Sequence, residues 1–289
     1  MTTSRDPRGA PSTDHAAATR RVVTPEAAAR LETALAAVAL AAAETLRWFD
    51  RPDLAVEEKH DRSPVTAADR AAEGILRREL LGRFPDDAFL GEETGASPGT
   101  SGYEWVVDPI DGTKSFIRGV PLYATLVGCR RGADGILGVI AIPALDEMVW
   151  AAAGGGAWHA RRGSNPVAAH VSARADLDAA LLCTSDFTSF IDHAGGPDGG
   201  SRARAAVEDA CRICRTWGDG YGYLLVATGR AEAMVDPLMN RWDAAAVETV
   251  VIEAGGRFSD WQGRPRIDAG DGIATNGLVH DGLLRLLAG

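Results

Sequence analysis

The sequence predicts a mixed α/β protein in which sheets and helices are layered into one compact unit. Three observations carry that expectation: helix start signals in the first hundred residues, a run of short β-prone segments over residues 122–153, and alternating strands and helices after residue 166. The 289 residues are 46% hydrophobic and 24% charged, enough apolar chain to close a large core. No internal repeat or long low-complexity linker interrupts the pattern.

Residues 1–20 mix Thr, Ser, Pro, Gly, Arg and Asp without periodicity, the composition of a disordered tail. Thr24-Pro25-Glu26 supplies an N-cap followed by proline at the first helical position, and the helix it opens runs to about Phe49. Its Ala-rich stretch, residues 31–46, is interrupted by Glu32 and Glu44 and is too short to span a bilayer, so it reads as a buried amphipathic helix. Residues 69–81 form a second helix, Phe84-Pro85-Asp86-Asp87 a turn, and residues 88–91 a short strand ending on the acidic pair Glu92-Glu93. Residues 103–108 form a strand cut off by Pro109, which lacks an N–H for the ladder and holds Asp108 extended.

Residues 122–130, 135–142 and 147–153 make an antiparallel meander. The loop Gly163-Ser164-Asn165-Pro166 then divides an N-terminal α+β half, residues 21–165, from a C-terminal α/β half, residues 166–289. In the second half, strands at 180–184 and 232–235 alternate with helices at 203–211, 221–228 and 244–254.

A formal net charge of −10 argues against a nucleic-acid partner, because such binding needs clustered Lys and Arg to displace counterions. An anionic substrate would instead need a local reversal of the field, which a divalent cation supplies economically. Four cysteines are too few for a disulfide scaffold, and nothing at the N-terminus has the basic-then-apolar build of a signal peptide. The expectation is a cytoplasmic protein, with no membrane partner, and reduced thiols. Cys211 and Cys214 form a C-x-x-C, yet no second Cys or His pair completes a zinc site, so they read as buried thiols.

The chemistry concentrates in Asp108-Pro109-Ile110-Asp111-Gly112-Thr113. Two carboxylates within a few ångströms repel each other and take up protons unless a positive charge neutralises them. Pro109 bends the chain so that Asp108 and Asp111 face one point, and the bend frees the Ile110 carbonyl as a further hard ligand. Oxygen donors without His or Cys select Mg²⁺ or Mn²⁺ over zinc. A helix start at Gly112-Thr113-Lys114-Ser115-Phe116 would offer backbone N–H groups to a phosphate. Two further acidic motifs accompany it, Gly91-Glu92-Glu93-Thr94 and Trp242-Asp243. Taken singly, Asp108 and Asp111 also read as turn caps, Asp243 as a helix N-cap, and Glu92 and Glu93 as solvated loop acids. Their occurrence together in one chain is what favours a metal site.

With these motifs the chain resembles the inositol monophosphatase superfamily of lithium-sensitive, Mg²⁺-dependent phosphatases. The resemblance rests on Gly91-Glu92-Glu93, on residues 105–116 (WVVDPIDGTKSF) and on residues 242–256 (WDAAAVETVVIEAGG), with weaker support from residues 63–69 (SPVTAAD). It implies a five-layer αβαβα sandwich of the inositol monophosphatase and fructose-1,6-bisphosphatase type, commonly dimeric. It implies that Glu92, Asp108, the Ile110 carbonyl, Asp111 and Asp243 hold two or three Mg²⁺ ions per active site. Asp69 and Lys59 match positions near the weakly held third metal and its waters. Thr113 matches the hydroxyl that orients the attacking water, and the N–H groups of Gly112 and Thr113 match those that hold phosphate. The implied reaction is direct in-line attack by water on a small phosphorylated metabolite, without a phosphoenzyme.

Within the superfamily, Lys114 departs from the Thr usual in inositol phosphatases. Residues 116–121, 218–223 (GDGYGY) and 230–236 are most similar to the histidinol-phosphate phosphatase branch. Asp219 and Asp236 match positions facing the non-phosphate end of the substrate, where two carboxylates suit an ammonium and an imidazole better than a neutral polyol or a second phosphate. On residue type alone, Asp219 also fits a turn and Asp236 a cap, while Arg241 fits a phosphate contact, a shield for the acidic pair or an exposed salt bridge. Inositol 1-phosphate and 3'-phosphoadenosine 5'-phosphate are the alternative substrates, and a catalytically silent ligand-binding relative is the non-enzyme alternative. Loss of a metal carboxylate would signal such a relative, and here every expected one is present.

Overall fold

The computed structural model describes residues 22–51, 55–58, 64–193 and 196–288. The tail at residues 1–20 and Lys59, both singled out above, lie outside these described residues.

The first half opens with α1 (Pro25–Trp48), β1 (Val56–Glu58), β2 (Pro64–Thr66), α2 (Ala67–Arg83), β3 (Ala88–Gly91), β4 (Gly95–Ser97), β5 (Tyr103–Asp111) and the single turn α3 (Thr113–Phe116). It continues through β6 (Ala124–Arg131), β7 (Asp134–Ile142), β8 (Glu147–Ala152), β9 (Ala157–Arg161) and β10 (Val167–Ala169). The second half comprises β11 (Leu181–Cys183), α4 (Ser189–Asp192), α5 (Gly196–Ala210), β12 (Ile213–Arg215), α6 (Gly220–Ala227), β13 (Ala233–Asp236), α7 (Arg241–Glu253), β14 (Arg257–Ser259), β15 (Gly272–Thr275) and α8 (His280–Leu287).

Two main sheets organise these elements, an eight-stranded one in the order β10-β9-β8-β7-β6-β5-β3-β4 and a five-stranded one in the order β12-β11-β13-β15-β14, while β1 and β2 pair as a separate two-stranded sheet. Side chains alternate across the large sheet, as its two-residue period requires. Trp105, Val107, Val127, Cys129, Leu137 and Val139 meet α1 and α2 on one face. Val106, Leu126, Ile140 and Ile142 join α6 and α7 on the other, together with Met234, Phe258 and Ala274 of the small sheet. The far face of the small sheet packs Leu182, Ala233 and Ile273 against Val207 of α5 and Leu283 of α8. The outcome is the expected five-layer αβαβα sandwich. Both faces of β6 and β7 are covered, which is why their sequences are almost continuously apolar.

α1 starts as its sequence indicates, with Thr24 Oγ1 accepting from the Ala27 N–H at 3.2 Å and Pro25 in the first turn. Its buried Arg30 reaches across to Asp87 with two bonds of 2.9 and 2.8 Å and lies 3.7 Å over the Tyr103 ring, tying the helix to the turn before β3. Among the described residues, no helix is long and apolar enough to cross a membrane.

Several boundaries move for local reasons. The second helix begins at Ala67, not 69, because Thr66 is its N-cap and Asp69 Oδ2 accepts from the Thr66 N–H at 2.8 Å. The helix expected over 244–254 begins at Arg241, which makes Asp243 its third residue with Asn240 as the N-cap. Pro109 does not end β5: pairing with β6 runs from Asp108↔Leu126 to Asp111↔Ala124, with a register shift that absorbs the proline. The large sheet extends past the expected boundary at 165, since β10 pairs with β9 through Val167↔His159. Strands β4, β9, β10, β12, β14 and β15 and helix α8 carry no strong sequence signal; most are three to five residues long and are defined by the neighbours they pair with.

Close approach of α7 to the large sheet depends on glycine. A Cβ on Gly138 would lie 2.2 Å from the Ala246 carbonyl oxygen, whereas one on the exposed mid-helix Gly74 would meet nothing within 4 Å. In urea unfolding, Gly138→Ala is expected to lower stability by about 1–3 kcal/mol. Gly74→Ala is expected to raise it by roughly 0.5–1 kcal/mol.

Candidate active site

β3 and β5 are parallel neighbours, with Gly91 opposite Val107, so Glu92, just past the end of β3, comes beside Asp108 of β5. The register shift in β5 then changes the direction of the chain between Asp108 and Asp111, with the Pro109 carbonyl held at 2.9 Å by the Thr125 hydroxyl. Gly112 adopts φ 84°, a left-handed conformation that suits glycine, and α3 follows at once. From the second half, the N-terminus of α7 brings Asp243 and the N-terminus of α6 brings Asp219 to the same place.

These residues line one cleft of about 370 Å³, in which Glu92, Asp108, Ile110, Asp111, Gly112 and Thr113 meet Asp219 and Asp243. Lys114, Ser115, Ser185, Asp186, Asn240 and Trp242 complete its wall. Sequence reasoning passed over Ser185 and Asp186; the only available signal was a polar pair just past the end of the short strand β11.

Three residues singled out in the sequence stand outside the cleft lining, Asp69, Asp236 and Arg241. Asp69 is fully buried behind Thr113, with Oδ1 at 3.5 Å from the Thr113 hydroxyl. Asp236 is buried, its Oδ1 accepting from the Ser185 N–H at 3.1 Å and its Oδ2 from the Tyr223 hydroxyl at 2.8 Å. Because Ser185 Oγ also accepts from the Asp219 N–H at 3.0 Å, Asp236 supports the wall beneath Asp219 and does not itself line the cleft. Arg241 is outside the cleft and pairs with Glu104 at 2.6 Å, the salt-bridge alternative of the three open to it. Lys59 lies outside the described residues.

One oxygen of each central carboxylate is held locally, which fixes its orientation. Asp108 Oδ1 accepts from the Ile110 N–H at 3.0 Å, Asp243 Oδ2 from the Asn240 N–H at 2.7 Å, and Asp111 Oδ2 from the Gly220 N–H. Asp108, Asp111 and Asp243 nevertheless each offer an oxygen within 4.8 Å of the others. Among the described residues, no ion pair is made to any of the three.

The protein holds these acids away from their ordinary ionisation. Burial, then the charges of Glu92, Asp111 and Asp243, pushes the Asp108 carboxyl well above the usual range. Burial, then Asp219 and Asp243, does the same to Asp111. Asp243 is pushed up to about 7, mainly by desolvation and partly by Glu92, against the pull of the Asn240 N–H. Such crowding of Asp108, Asp111 and Asp243, with no ion pair to them among the described residues, is what a hard divalent cation relieves, and an all-oxygen donor set suits Mg²⁺, Mn²⁺ or Ca²⁺ more than zinc. The donor set therefore fits a metal cluster.

Carboxyls raised in the folded state keep protons that the unfolded chain has already released, so their contribution to stability falls as pH rises through that interval. Without metal, the protein is expected to lose stability between pH 4 and pH 7, the span between the ordinary carboxylate value and that of Asp243. Added Mg²⁺ should restore it, most strongly near pH 7. Asp243→Asn should flatten the metal-free slope, raise metal-free stability near pH 7 by about 1–2 kcal/mol and remove most of the Mg²⁺ effect. Thermal denaturation across this range, with chelator and with Mg²⁺, measures each of these.

Residues 26–288 match the model of the inositol monophosphatase family. A histidinol-phosphatase of Chlorobaculum parvum is 42% identical over 80% of this chain and 85% of its own length. A histidinol-phosphatase of Mycobacterium tuberculosis is 41% identical over 83% and 91%. An inositol-1-monophosphatase of Mesorhizobium japonicum is 32% identical over 81% and 86%. Among solved structures, the extragenic suppressor protein SuhB of Bartonella henselae superposes with a TM-score of 0.80 at 29% identity, covering 90% of this chain and 98% of the other. The chain therefore belongs to the inositol monophosphatase family, and with it to the phosphatase class of hydrolases.

Proposed function

We propose that this phosphatase is a Mg²⁺-dependent phosphomonoesterase acting on L-histidinol phosphate, which it hydrolyses to L-histidinol and phosphate in histidine biosynthesis. The observation that carries the substrate is Asp219. Its carboxylate stands against Gly112, so close that a Cβ on that glycine would lie 2.5 Å from Oδ2. The acid that recognises the non-phosphate end thus adjoins the backbone that would hold the phosphate. Desolvation raises the Asp219 carboxyl, opposed by the Ser185 bond and by Lys114, so a cationic ligand has an incompletely neutralised partner to gain. Relatives named histidinol-phosphatase are also more similar, at 37–42% identity, than those named inositol-1-monophosphatase at 32–33%.

Glu92, Asp108, the Ile110 carbonyl, Asp111 and Asp243 would hold the cations. When bound, Mg²⁺ supplies Lewis acidity to the phosphate, the attacking water and the departing alkoxide. The residues themselves supply position and proton handling. Thr113 Oγ1 lies 3.1 Å from the Ile110 carbonyl and 3.5 Å from Asp69 Oδ1; when its one proton points to Asp69, the hydroxyl can accept from an attacking water, take that water's proton and pass its own to Asp69. Backbone N–H groups of Gly112 and Thr113 hold the phosphate in line with that water. Asp219 takes the ammonium or imidazolium end, with Asp236 setting its place through Ser185. The assembly proposed for solution is a homodimer, on the family resemblance.

With purified protein, kcat/KM is expected to be highest for histidinol phosphate among histidinol phosphate, inositol 1-phosphate and 3'-phosphoadenosine 5'-phosphate. Removing metal with a chelator should abolish turnover of all three. Asp219→Asn should lower kcat/KM for histidinol phosphate by about 10- to 100-fold, a loss of roughly 1.4–2.8 kcal/mol, with a much smaller effect on inositol 1-phosphate. Equal losses on both substrates would remove Asp219 as the origin of specificity.

A further inference from the structure

We propose that Glu73, on α2, is the positioning residue that fixes Glu92 in the metal site; this rests on the metal-dependent reading above. Glu73 is fully buried, two turns into its helix. Its Oε2 accepts from the Glu93 N–H and its Oε1 from the Thr94 N–H, each at 2.8 Å. Those are the two residues that directly follow Glu92, so both oxygens of one carboxylate grip the turn that carries it. Among the described residues Glu73 makes no ion pair with a cation, and the two N–H groups supply its compensation.

A two-point grip does more than close a turn. One hydrogen bond leaves a peptide plane free to swing about it, whereas two from a planar carboxylate fix both approach and orientation. Gly91 is shaped to the same contact: a Cβ there would lie 2.5 Å from Glu73 Cδ and Oε1 and 2.6 Å from Oε2. The glycine of the Gly-Glu-Glu motif is thereby explained by the carboxylate packed over it, since its backbone carries no positive φ. One turn earlier on the same helical face, Asp69 stands beside Thr113. α2 is therefore the rigid element that refers the turn after β3 and the turn after β5 to a single frame, setting Glu92 against Asp108 and Asp111.

The test measures Mg²⁺ binding to the full chain without substrate, by calorimetry and by Mg²⁺-dependent thermal shift. Glu73→Gln keeps the volume but offers an oxygen to only one N–H; Gly91→Ala leaves Glu73 intact and displaces its carboxylate from the opposite side. Each is expected to weaken Mg²⁺ binding on the order of 10-fold. Both should raise the Mg²⁺ requirement for turnover while leaving kcat at saturating Mg²⁺ close to that of the unaltered protein. Because both act on one contact, the double variant should lose about as much as either single one. Leu76→Ala, in the core contact of the same helix, serves as the packing control and should lower stability while leaving Mg²⁺ affinity within about 2-fold. Unchanged affinity in Glu73→Gln and Gly91→Ala, fully additive losses, or an equal loss in Leu76→Ala would overturn the proposal. Absence of Mg²⁺ binding to the unaltered protein would overturn the metal-dependent reading itself and this inference with it, a result separate from normal binding that the variants leave unchanged.

Discussion

Mutual repulsion among carboxylates at the open ends of β3 and β5 is the constraint around which this molecule is arranged. Asp108, Asp111 and Asp243 offer oxygens within 4.8 Å of one another, and the surrounding protein contributes no paired cation among the described residues. A stable fold rarely assembles such a cluster for its own sake, because burying like charges together opposes folding. The protonated state toward which these acids are driven is one that a bound cation would relieve.

The layered architecture is what makes the crowding possible. Asp108 and Asp111 come from one strand of the large sheet, while Asp243 and Asp219 come from helices packed between the sheets. α7 can approach only because Gly128 and Gly138 leave room for its backbone, and the apolar contact around it fixes the height at which its first turn meets the cleft. The site is thus a product of packing between two halves, each of which would be incomplete alone. Local hydrogen bonds then aim each acid: Ile110 and Asn240 N–H groups hold Asp108 and Asp243, and the Gly220 N–H holds Asp111.

The closeness of Asp108 and Asp111 was legible in the sequence, since carboxylates, proline and glycine so close together have few structural uses, but the continuation of β5 through Pro109 was not. Helices with strong caps were legible too, as Thr24 shows. What the sequence concealed was set by tertiary partners. Asp236 and Asp219 look alike as isolated acids, yet Tyr223 and Ser185 occupy the oxygens of the first while the second lines the cleft. Arg241 sits beside the Trp-Asp motif, but Glu104, 137 residues away, captures it. Glu73 left no trace at all, because its meaning lies in two N–H groups 20 and 21 residues further along. Short strands such as β12 and β14 were hidden because pairing, more than propensity, defines them.

Cation binding is expected to replace protons on these crowded acids. The most direct measurement of this exchange is the heat of Mg²⁺ binding near pH 6.5 in buffers of different ionisation enthalpy, from which the number of protons exchanged follows. Net release is expected, on the order of one proton per site or more, diminishing in Asp243→Asn. Tight Mg²⁺ binding with no proton release, or no binding in the cleft at all, would contradict it.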